Sequence, residues 1–236
     1  MTYFHRAERT WRARLDELGA AFSDIHFLPE YGRIYEQSYG YSAHLACLRS
    51  RAGLIVQPFV RRPLASLPFL SRHCAGGDSA DIANAYGFGG PLGRPDAATY
   101  RAFERELEAW CEEASVASEF ASLHPLMADA QRGLIGDGLP LEFVKDVVVV
   151  DLGLSESELL SGLRKGHRSS LKRAQRSGVT VHNVPPNAEN VAAFAAIYSE
   201  TMTRLGAASR WFFPEDFFSA TIEHLGADRT TLFFAH

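Results

Sequence analysis

Six cationic side chains crowd residues 164–176 of this 236-residue chain: Arg164, Lys165, Arg168, Lys172, Arg173 and Arg176. Arg164, Arg168, Lys172 and Arg176 recur every four residues, so on a helix they line one slowly drifting stripe. Leu163, His167, Leu171 and Ala174 give a second, packing stripe about 100° round from the first. Like charges at that spacing destabilise an isolated helix by roughly 0.2–0.5 kcal/mol per pair, and no Asp or Glu occurs from residue 159 to 188 to relieve them. An anion gripped by the stripe is the chemistry this pattern points to. Arg164, Lys165, His167, Arg168 and Lys172 are the substrate-binding candidates. A solvated surface face is the other reading of the same charges. The chain has a net charge of −4, so outside these six cations it sums to −10. A positive island on an acidic body attracts anions.

A second string with chemical potential is Tyr86-Gly87-Phe88-Gly89-Gly90-Pro91. It neither follows a clear strand nor opens a helix, so it is not a dinucleotide fingerprint. Glycine lets backbone come close to a ligand or a neighbouring segment, which makes Tyr86, Gly87, Gly89 and Gly90 candidate substrate contacts, with a structural turn as the alternative. Two residues are candidate acid–base groups. Glu119 could serve as a base if it faces a cleft, and is otherwise an ordinary surface glutamate. His124, before Pro125 at a strand end, could exchange a proton or be a packed, hydrogen-bonded imidazole. No G-x-S-x-G elbow, C-x-x-C or H-E-x-x-H occurs, and His73-Cys74 are adjacent rather than spaced for one tetrahedral site. Neither an α/β-hydrolase nor a metal site is expected. The nearest approach to an acyl-CoA pyrophosphate loop, residues 175–180, lies where a helix ends, whereas phosphates bind where one begins.

The elements around these strings read in order. Residues 3–18 suggest a helix, and Pro29 opens a second running to about residue 38. Residues 43–49 and 54–60 flank Arg51-Ala52-Gly53 as a hairpin. Asp96 caps a helix over 97–114, and 116–123 make a strand leading to His124. Residues 126–132 form a short helix. Residues 141–152, apolar on both faces through Val147–Val150, predict a buried central strand. Ser155 with Glu158 is a capping box, the cationic helix ends at Gly178, and 179–184 form a strand. A helix follows from Asn187 or Asn190 to residue 205, another from Pro214 to 225, and a last strand over 230–235. Two strands after residue 152 are too few for a sheet of their own. They either join the first sheet or begin a domain that continues beyond His236.

Composition bounds the class. Hydrophobic residues make up 46% of the chain and charged residues 22%, ordinary for a protein with a full core. The acidic balance argues against a dedicated DNA-binding protein. Three widely spaced cysteines, Cys47, Cys74 and Cys111, suggest reduced thiols. With no apolar run long enough to span a bilayer and no secretory signal, a cytoplasmic protein is expected.

Four strings in this order carry a resemblance: residues 81–91 with Tyr-Gly-Phe-Gly-Gly-Pro, Ser118-Glu119-Phe120 leading to His124-Pro125-Leu126, residues 163–179, and residues 194–204 followed by Trp211-Phe212-Phe213. Over about residues 20–236 the chain resembles the FemAB-related branch of the GNAT-like acyltransferases, which includes peptidoglycan bridge-forming aminoacyltransferases and relatives associated with exopolysaccharide clusters. The resemblance implies an α/β (mixed α+β) fold of GNAT-like mixed sheets flanked by helices. A first domain would occupy residues 1–150 and an incomplete second one 151–236. It implies N-acyl transfer to an amine of a cell-envelope or polysaccharide precursor that bears phosphate. The donor would be acyl-CoA or aminoacyl-tRNA, with tRNA as a partner in the latter case and no tightly bound cofactor. The rival expectation is a non-catalytic binding or scaffolding protein that keeps the fold. RNA binding alone is a third, resting on the basic helix.

Overall fold

The computed structural model describes residues 8–67, 70, 77–136 and 138–236, and the backbone of residues 2–5. His73 and Cys74 lie outside the described residues. The chain begins with strand β1 (Thr2–His5), helix α1 (Glu8–Leu18), a 3-10 turn at Ile25–Phe27 and helix α2 (Pro29–Tyr39). Strands β2 (Ser42–Ser50) and β3 (Gly53–Pro63) form the predicted hairpin, joined by Arg51 and Ala52. Strands β4 (Ala80–Ala83) and β5 (Leu92–Gly93), helix α3 (Ala97–Glu113), strand β6 (Val116–Phe120) and helix α4 (Ala128–Ile135) follow. The C-terminal part holds α5 (Glu156–Gly162), α6 (Lys165–Arg176), β7 (Val181–Val184), α7 (Ala188–Arg204), α8 (Phe217–Leu225) and β8 (Leu232–Ala235).

The result is a mixed α/β structure with a mixed sheet flanked by helices. The sheet runs β1-β2-β3-β4-β6, with β5 pairing β3. All its pairings are antiparallel except β4 with β6. Strands β2 and β3 bury both faces, because side chains alternate across the sheet. Leu45, Cys47, Leu54 and Val56 pack against Trp11, Phe27, Ile34 and Tyr35. Ala46, Leu48, Ile55 and Phe59 meet Tyr100, Phe103 and Leu107 of α3 on the other face. Gly32 lets α2 lie directly on β2, since a Cβ there would overlap that of Ala43.

One break in this sheet places the functional residues. Pro58 has no N–H to donate, and among the described residues β3 there has only β2 beside it. Strand β4 pairs Val60 through Ala83, and β5 rejoins at Val56 through Leu92. Residues 84–91, the glycine-rich string, loop out across the gap.

The C-terminal elements reach this core through α8. Phe217, Ala220 and Leu225 are buried with the α1–α2 face, and the Phe217 ring stands edge-on to Tyr35 at 5.7 Å. Helix α7 leans on α8 through Phe194 and Phe218, 5.1 Å apart. Among the described residues, strands β7 and β8 pair only with each other.

Two local expectations are corrected. Residues 2–5 begin no helix; they pair with β2 as an edge strand, and the helix starts at Glu8. Residues 141–152 are not a buried strand. They have no regular structure, and Val148 and Leu152 are 88% and 84% exposed. A strand needs a backbone partner, and among the described residues nothing hydrogen-bonds to the backbone of 139–150.

Candidate functional site

Strands β4 and β6 are the only parallel strand pair among the described residues, and both carboxyl ends lead into loops that meet. Gly89 N–H donates to Ser122 O at 2.7 Å, and Gly89 and Leu123 form an isolated parallel bridge. In open α/β sheets this end is where ligands bind. The turn before α2 supplies the third wall.

Asp24, His26 and His124 converge there. Asp24 caps the 3-10 turn, accepting the His26 N–H at 2.9 Å. The same oxygen, Oδ1, accepts from His26 Nδ1 at 2.5 Å, and Oδ2 lies 3.3 Å from His124 Nε2. Burial pushes the Asp24 carboxyl up, but the two His26 hydrogen bonds and the adjacent imidazoles of His26 and His124 outweigh it and bring its pKa down to about 2. Asp24 is therefore an anion at neutral pH.

Second contacts fix the protons. His124 is buried, and its Nδ1 accepts the Leu126 N–H at 3.3 Å, so the ring hydrogen resides on Nε2, the nitrogen nearer Asp24. Its backbone N–H donates to Gln131 Oε1 at 2.8 Å, while Gln131 Nε2 donates to Gly89 O at 2.8 Å and to Pro91 O at 3.2 Å. Buried Gln131 thus ties the β6 loop to the glycine-rich loop. The three ligand-type side chains are close enough to hold a metal ion. However, the nitrogen His124 turns to Asp24 is a donor, and a metal ligand needs that lone pair. The arrangement instead suits a proton relay, with His26 Nδ1–H on Asp24, His124 beside the same carboxylate and His26 Nε2 left as a lone pair.

That lone pair meets the glycine-rich loop. A Cβ at Gly87, where φ is +118°, would overlap the His26 ring at Cδ2 and Nε2. Phe88 covers both imidazoles edge-on, at 5.3 Å from each. Two tyrosines one turn apart on α2 clamp the loop: Tyr31 hydroxyl donates to Tyr86 O at 2.5 Å, and Tyr35 hydroxyl accepts the Tyr86 N–H at 3.0 Å. No hydrogen bond among the described residues occupies the N–H of Gly87 or Phe88. The space between His26, Asn84 and Pro58 amounts to about 10 Å³, on the order of one water.

The sequence candidates fall into three groups. His124, Tyr86, Gly87, Gly89 and Gly90 belong to this one assembly. Glu119 lines an adjoining groove with Gln57, Asn84 and Gly90. It is exposed as a whole, but its carboxyl end turns in to accept from Gln57, and partial desolvation raises its pKa despite that hydrogen bond. Arg164 precedes α6 as its N-cap and Lys165, His167, Arg168 and Lys172 stand on that helix, which buries none of its residues and lines neither groove. Arg168 donates to Ser161 O at 3.0 Å and to Leu163 O, satisfying carbonyls where α5 ends. Asp24 and His26 were not among the candidates: Asp-Ile-His has no distinguishing spacing, and its partner lies 98 positions away. The available signal was the stripe Tyr31, Tyr35, Tyr39 on α2, too polar-edged for a plain packing face.

In comparisons with known proteins, no family model, no curated protein and no solved structure gave a significant match to the chain.

Proposed function

We propose that the chain is an N-acyltransferase of GNAT-like, FemAB-related kind, with His26 as its general base. The observation that carries this reading is His26, whose Nδ1–H is held by Asp24 and whose Nε2 faces Gly87 at the carboxyl ends of β4 and β6. An acceptor amine in the water-sized space that His26 shares with Asn84 and Pro58 would lose a proton to Nε2 as its nitrogen bonds the acyl carbon. The carbonyl oxygen, negative in the tetrahedral intermediate, would be met by the N–H groups of Gly87 and Phe88. The C–S bond of an acyl-CoA, or the ester C–O bond of an aminoacyl-tRNA, then breaks, and the leaving sulfur or oxygen takes up the proton that His26 Nε2 had accepted, restoring the base. Asp24 keeps His26 in the needed tautomer and steadies it once protonated. The cations of α6 take no part in this chemical step.

The test measures thiol release from acyl-CoA and deacylation of aminoacyl-tRNA, each with amino-sugar and amino-acid acceptors. We expect turnover with one donor class, and a fall in kcat of roughly 10²–10³ in His26→Ala and about 10² in Asp24→Asn, with KM little changed. Added imidazole should restore part of the His26→Ala rate. Turnover indifferent to both substitutions, or none with either donor, would remove the proposal. In the second case the narrowness beside His26 favours the rival reading, a binding protein that keeps the fold.

A further inference from the structure

Helix α6 presents an exposed cationic surface that the relay leaves unused. Neither its N-cap Arg164 nor any of its five Lys and Arg forms an ion pair among the described residues, and only Arg168 and Arg176 are engaged in side-chain hydrogen bonds, to nearby carbonyls. The cations span about half of the helix circumference. Leu171 lies about 20° round from Arg164, at the edge of that arc, and is exposed. Exposed Leu160 precedes the helix and exposed Val179 and Val181 follow it. The two acids nearest to it in sequence, Glu156 and Glu158, both lie before it. A helix with a Lys/Arg arc bordered by accessible leucine is built to lie in the plane of a charged interface.

We propose that α6 docks on a bilayer rich in anionic phospholipid, with Arg164, Lys165, Lys172 and Arg173 among the headgroups and Leu171 entering the boundary. Charge complementarity favours this occupant and sets its orientation. The rest of the chain sums to −10, so the net charge of the body is repelled by such a surface while the α6 cations are drawn to it. RNA would meet the same cations, but the arc offers no aromatic side chain for base stacking and the acidic body would repel an extended polyanion. The inference stands independently of acyl transfer.

The experiment is co-sedimentation of the full chain with vesicles of phosphatidylcholine alone or mixed with phosphatidylglycerol, at low and raised salt. Binding is expected only to the mixed vesicles, weakening as salt rises. The double substitution R164Q/K172Q should weaken it on the order of 20-fold, while R132Q, a cation of α4, should leave it unchanged. Circular dichroism verifies that the variants fold, which is expected where no side chain is buried. Leu171→Ser should also weaken binding, and inorganic phosphate should not displace the protein. The inference fails if mixed vesicles bind no better than neutral ones, if R164Q/K172Q binds normally, if inorganic phosphate competes, or if tRNA captures the protein from vesicles at equal phosphate.

Discussion

Asp24 shows how one side chain links stability to the candidate chemistry. Its carboxyl titrates near pH 2 in the folded protein and near its ordinary 3.8 when unfolded. A depressed carboxyl stabilises above its unfolded value and loses that contribution as pH falls through the folded one. The wild type should therefore lead Asp24→Asn by roughly 2 kcal/mol near neutrality. That lead should shrink as pH falls from about 4 to 2, in urea unfolding curves recorded across the window. A constant lead would mean that the ionised carboxylate is not its source. At this scale the sequence was half legible. His124 and the glycines advertised themselves through a strand end and a Gly-rich string. Asp24 and His26 did not, because their role arises from a long-range meeting that no local pattern encodes.

At the scale of elements, local chemistry was the reliable guide. Asp96 accepts the Thr99 N–H, Ser155 and Glu158 close their capping box, and Gly178 takes the left-handed conformation after α6, at φ +78°. These features depend on a few neighbouring residues, so a sequence can display them. Residues 141–152 and 2–5 were misjudged because strand formation is settled by a partner elsewhere. Gln131 is the element-scale link most open to test, since α4 holds the two site loops together through this one side chain. Gln131→Leu keeps the volume but leaves the His124 N–H and the Gly89 and Pro91 carbonyls without their partner. We expect a loss of roughly 2–4 kcal/mol in chemical denaturation, with turnover falling as well. A change under about 0.5 kcal/mol would mean that water replaces the amide.

Across the whole molecule, the hairpin and α1–α3 make a two-sided core, whereas residues 139–154 cross to the C-terminal elements in the open. Brief trypsin or chymotrypsin treatment of the native protein should cut first there, at Lys145 or Phe143. Initial cleavage inside the β2–β3 hairpin would contradict this layout. Individual strands and helices were readable from alternating and helical periodicities, whereas the mixed sheet with flanking helices was what the resemblance implied. The strand order was not, because it depends on the crossover between β4 and β6. That crossover also has a kinetic consequence. The hairpin closes over two residues, but β6 reaches β4 only after the intervening segment and α3 are in place, and His124 must then find Asp24 across most of the first half of the chain. Large closures of this sort are slow relative to local ones. On refolding, hairpin signals should return early, and the relay should be the last part of this half to assemble.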